Sequence, residues 1–146
     1  MSNTQIKAAV PLFASTGKIT VTTGCGSVLS STNFTLTSFT YPVKVFIQGF
    51  YISPQQMIPV LFQSGISTDP NAVDTLILVL HQSTTPHTAV LSTAAILNKD
   101  GSALFTLPGG YRNGNFYLAV KQRNCLETWS KFPVLITGSP GFDFTQ

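Results

Sequence analysis

Charge is what this chain has least of. Eight Lys and Arg and five Asp and Glu make up 9% of its 146 residues, against about 25% in ordinary soluble domains. The formal net charge of +3 comes from scattered cations and scarce acids. Nucleic-acid binding needs Lys and Arg gathered on one face, and no such run occurs, which argues against that partner. Long apolar runs are absent as well: nothing approaches the roughly 18–20 residues of a membrane-spanning helix. The opening residues, MSNTQIKAAVPLF, lack the basic and apolar regions of a signal peptide.

Catalytic patterns are equally scarce. Of the five acids, Asp69, Asp74, Asp100, Glu127 and Asp143, four read as turn or strand-boundary residues, whereas glycoside hydrolysis needs two convergent carboxylates. No Gly-x-Ser-x-Gly elbow occurs, and PGGYRNG lacks the Lys and Ser/Thr of a phosphate loop. The expectation is a non-enzymatic chain without a cofactor. Two cysteines are too few for a metal centre, because His81 and His87 stand alone in LHQSTTPHT. STDPNAVD (67–74) offers Asp69, Asn71 and Asp74 as a weak calcium set, against a plain turn before Pro70. Cys25 and Cys125 are expected to form a disulfide, assuming an oxidising compartment. Closing a loop of about 100 residues is worth up to about 4.7 kcal/mol in the entropic treatment.

What the chain has instead is hydroxyl and apolar surface. Ser and Thr total 33, hydrophobic residues are 43%, and the mean hydropathy is +0.26. That composition excludes a disordered chain and suits Thr-rich strands. It also suits a subunit that buries part of its surface against neighbours, since few charges must be desolvated.

The periodicity is β throughout. KITVTT (18–23) and NFTLTSF (33–39) alternate apolar and hydroxyl residues; YPVKVFIQGFYI (41–52) puts Val43, Val45 and Ile47 on one face. DTLILVLHQ (74–82) is a continuous apolar run and reads as a central strand. AVLSTAAIL (89–97) and SALFTL (102–107) flank Asp100–Gly101, a strong hairpin signal. A Gly-rich connection then leads to FYLAVKQR (116–123) and FPVLIT (132–137). Seven to nine short strands imply an all-β, two-sheet antiparallel β-sandwich, immunoglobulin-like or prealbumin-like. At this length one domain covers residues 1–146. Residues 1–17 read as an extended segment that packs on the domain or adds to a neighbour's sheet edge.

The run from residue 98 to 130 carries a more specific pattern: a hairpin, a Gly-rich turn, an aromatic strand, then Gln122, Arg123, Asn124, Cys125, Leu126, Glu127, Thr128, Trp129 and Ser130. Over about residues 41–146 the chain resembles a β-sandwich module found near the C-terminus of large surface and secreted proteins of gliding bacteria, many exported by the type IX secretion system. The resemblance implies an extracellular or cell-surface structural module. Position 125 is Cys where the family pattern leads one to expect a small hydroxylic residue, in keeping with a bridge special to this chain.

In the same stretch, Phe116, Leu118 and Val120 alternate with Tyr117, Ala119, Lys121 and Arg123. Arg123 and Glu127 flank a turn containing Asn124 and are expected to pair across it. Trp129 is expected to bury a large apolar area beside them, making a structural corner of Arg123, Asn124, Glu127 and Trp129. The leading function is a structural or adhesive module whose partner is a copy of itself or a surface assembly. The alternative is a carbohydrate-binding module with Tyr111 or Tyr117 as the stacking platform.

Overall fold

The structure is a computed structural model and describes residues 6, 8 and 16–146; most of the expected N-terminal segment, residues 1–17, lies outside the described residues. The chain is all-β. Its strands are β1 (Gly17–Thr23), β2 (Gly26–Phe34), β3 (Ser38–Lys44), β4 (Ala72–Gln82), β5 (Ala89–Asn98), β6 (Ser102–Pro108), β7 (Asn115–Lys121), and the two-residue β8 (Thr128–Trp129), β9 (Val134–Leu135) and β10 (Phe142–Asp143). One helical turn, α1 (Val60–Gln63), lies in the long connection before β4.

β1 and β2 form a hairpin of their own. The other eight strands make one curled sheet in the order β10-β3-β6-β5-β4-β7-β8, with β9 also on β7. The sheets are thus unequal, and β10 runs parallel to β3, which departs from the purely antiparallel arrangement expected. The curl follows from the β5–β6 hairpin: the two strands share a single ladder pair, Leu97 with Ala103, before diverging. Gly101 makes that turn possible. Its φ is +84°, which favours glycine, and a Cβ would meet the Phe46 ring at 2.9 Å. Asp100 braces the turn by accepting hydrogen bonds from the Ser102 amide (2.9 Å) and hydroxyl (2.6 Å), which hold its pKa below the usual value.

Period-2 alternation fills the inside of the curl. Leu76, Leu78 and Leu80 of β4, Leu118 of β7, and Phe105 and Leu107 of β6 are fully buried. Tyr41 faces Phe105 and Val43 faces the small Ala103, so large and small side chains interdigitate across β3 and β6. Val43, Val45 and Ile47 are all buried as their spacing requires, yet β3 ends at Lys44 and the chain turns through a short 3-10 segment, Gln48–Phe50. Met57 closes this end of the core, its sulfur accepting from the Ile47 amide at 3.3 Å.

β4 is central, between β5 and β7, and its outer face is partly covered: Val79 and His81 are buried while Ile77 is exposed. The alanines of β5 do not make it a helix; it pairs with β4 along nearly its whole length.

Candidate functional site

The outer face of β4, β7 and β8 gathers the chemistry. Antiparallel register sets His81 opposite Tyr117 and Trp129 opposite Ala119, so all four share the face turned away from the core. Ala119 is small and buried, which leaves room above it. The Trp129 indole lies over the His81 ring with centroids 4.1 Å apart at 34°, and Tyr117 stands 6.2 Å from the indole. His87, on the β4–β5 turn, sets its ring edge-on to Tyr117 at 5.1 Å.

This arrangement is anchored from below. His81 Nδ1 donates to the His87 carbonyl at 2.8 Å, because a carbonyl only accepts. His81 Nε2 then points the other way, is buried, and has no hydrogen-bond partner among the described residues. Glu127 Oε1 faces it at 3.9 Å, and Glu127 Oε2 pairs with Lys121 Nζ at 3.0 Å. The result is an aromatic platform with one cation and one anion at its rim.

A second cluster lies at the start of β4. Asp74 is 4% exposed. It accepts from the Thr75 amide at 2.8 Å, Gln122 Nε2 at 2.7 Å and Arg123 Nε at 3.0 Å. Gln122 Oε1 in turn accepts from the Asn124 amide at 2.8 Å. A buried carboxylate must be hydrogen-bonded to remain charged, and this clamp ties the β7 exit to β4.

The expected corner therefore divides in two. Arg123 pairs with Asp74 and not with Glu127, because the end of β7 directs it toward the start of β4. Asn124 serves the clamp through its backbone. Glu127 pairs with Lys121, and Trp129 is 41% exposed, where a buried ring was expected. Tyr111 is core: it is buried, and its hydroxyl donates to the Val90 carbonyl at 2.7 Å. Tyr117 stays half-buried on the platform.

Comparison of the chain with family models, curated proteins and solved structures finds no match. The site is argued from its own residues.

The expected disulfide is corrected. Cys25 and Cys125 are free, exposed thiols held apart: Cys25 sits at the tip of the β1–β2 hairpin and Cys125 on the loop after β7. Of the weak calcium set, Asp69 and Asn71 meet inside a plain turn. Asp69 caps its own turn by accepting from the Asn71 amide (2.9 Å) and side chain (3.2 Å), while Asp74 is committed to the clamp. Sequence reading missed His81, His87 and Gln122 as partners. The alternation already put Tyr117 and Lys121 on one face; nothing local fixed the register that adds His81 and Trp129.

Proposed function

We propose that this chain is a non-enzymatic structural and adhesive module of a cell-surface or extracellular assembly, and that it associates with copies of itself. In this reading the curled sheet supplies both layers of an immunoglobulin-like or prealbumin-like sandwich, with β3, β6 and β10 against β5, β4, β7 and β8. The resemblance of residues 41–146 to surface-protein modules and the low charge support it.

The observation that carries the proposal is the β1–β2 hairpin. Among the described residues no other strand or helix packs substantially against it. Ile19, Val28 and Leu29 are 53%, 69% and 61% exposed. A lone two-stranded hairpin is marginally stable in water, and apolar strands with open edges are templates for pairing with another chain. A neighbouring copy that covers the arm or extends it by strand addition removes both liabilities. Because the arm and the surface it meets differ, such contacts are head-to-tail and can propagate into filaments.

The test is particle size by light scattering across a dilution series. The native chain is expected to form species larger than a monomer, and Ile19→Ser/Val28→Ser to remain monomeric. A native chain that is monomeric at every concentration refutes the proposal.

A further inference from the structure

The platform on the outer face carries a separate binding role. We propose that Trp129, Tyr117, Lys121 and Glu127 form a recognition site for the pyranose ring of a neutral glycan. Self-association is neither required for this role nor contradicted by it.

The indole comes first. Trp129 is the chain's one tryptophan, and it is left 41% exposed although its burial would recover a large apolar area. Its ring is backed by His81 at 4.1 Å and flanked by Tyr117 at 6.2 Å. It therefore has little freedom to lose when a ligand stacks on it. A sugar ring presents a face of C–H groups to the negative face of an aromatic ring and directs its hydroxyls outward to the rim.

The rim decides which ligand suits. Lys121 Nζ and Glu127 Oε2 lie 3.0 Å apart, with side chains 43% and 33% exposed. A hydroxyl both donates and accepts, so neighbouring hydroxyls are met by an acceptor and a donor side by side. The two charges cancel. An anionic ligand would meet the Glu127 carboxylate, and a cationic one the Lys121 ammonium. The platform sets Trp129 and Tyr117 at 52° to one another. A neutral, flat, hydroxylated ring fits those terms.

His81 supplies an independent sign that the rim is built for a polar guest. Its Nε2 is buried with no partner among the described residues, and an unmet buried polar atom is costly. Glu127 Oε1 is across from it at 3.9 Å, just beyond hydrogen-bond reach. With Nδ1 carrying the proton, Nε2 can only accept, as can the Glu127 carboxylate, so the missing partner is a donor such as a hydroxyl.

The uniqueness of Trp129 makes its emission a reporter of this site alone. The full chain, diluted to its smallest species, is titrated with cellohexaose, xylohexaose and mannohexaose, and with oligogalacturonate and oligoglucosamine as charged controls. The expected result is a saturable change with at least one neutral hexaose and none with the charged oligomers. Calorimetry on Trp129→Ala and Glu127→Gln, with folding checked by circular dichroism, is expected to show affinity reduced by at least about tenfold in each. The Ile19→Ser/Val28→Ser chain is expected to bind as the native chain does, which separates this proposal from self-association. No saturable change with any neutral hexaose up to about 10 mM, stronger binding of a charged oligomer, or unchanged affinity in Trp129→Ala would each overturn it.

Discussion

Replacing Asp74 with alanine removes the centre of the clamp, and the cost can be assigned bond by bond. Gln122 is 5% exposed, so its Nε2, which donates to Asp74 at 2.7 Å, is left without a partner. A stranded buried donor costs about 1–3 kcal/mol. The Arg123 side chain is 62% exposed; its lost ion pair is screened by water and adds about 0–1 kcal/mol. Asp74→Ala should therefore destabilise the fold by about 1–4 kcal/mol, the sum of those terms. Arg123→Ala should cost under about 1 kcal/mol, because Asp74 keeps its bonds to Gln122 and Thr75. Adding Gln122→Leu to Asp74→Ala should recover part of the loss, since the orphaned amide goes with it. Urea unfolding, with midpoint and slope fitted for each variant, measures all three. An Arg123→Ala penalty equal to or larger than that of Asp74→Ala would refute this accounting.

Tyr41 predicts the alkaline limit of stability. It is 1% exposed, and burial raises its pKa from 10.0 to about 12. The unfolded chain ionises first, so stability is intact below pH 10 and declines by about 3 kcal/mol as pH rises toward 12. Tyr41→Phe should flatten that decline in urea titrations; stability rising with pH over this window would contradict the assignment. The thiols give a simpler check. Both Cys25 and Cys125 should react quickly with a maleimide in the native, non-reduced chain, giving two adducts by mass spectrometry; no adducts would mean a bridge after all.

Much of the fold was legible because its strands are local patterns. Val43, Val45 and Ile47 read as one face from their spacing alone, and all three are buried; Asp100–Gly101 announced its hairpin through turn chemistry that only a positive φ satisfies. β2 was less visible: GSVLSSTNF buries no residue fully, so its alternation carries little contrast. The two-residue strands β8 and β10 were invisible, and β9 was read as the longer FPVLIT, since pairing at a sheet margin is decided by neighbours and not by propensity. Arg123 and Trp129 were found as unusual residues but given the wrong partners. Arg123 meets Asp74, 49 positions away, and Trp129 meets His81, contacts that depend on the order of strands in the sheet.

The central claim is that the β1–β2 arm is completed by another copy of the chain. Amide hydrogen exchange of residues 17–34, followed from dilute to concentrated solution, tests it most directly. The account predicts rapid exchange when dilute and strong protection when concentrated, with β4 and β7 protected throughout. Protection of the arm that is the same at every concentration would contradict it.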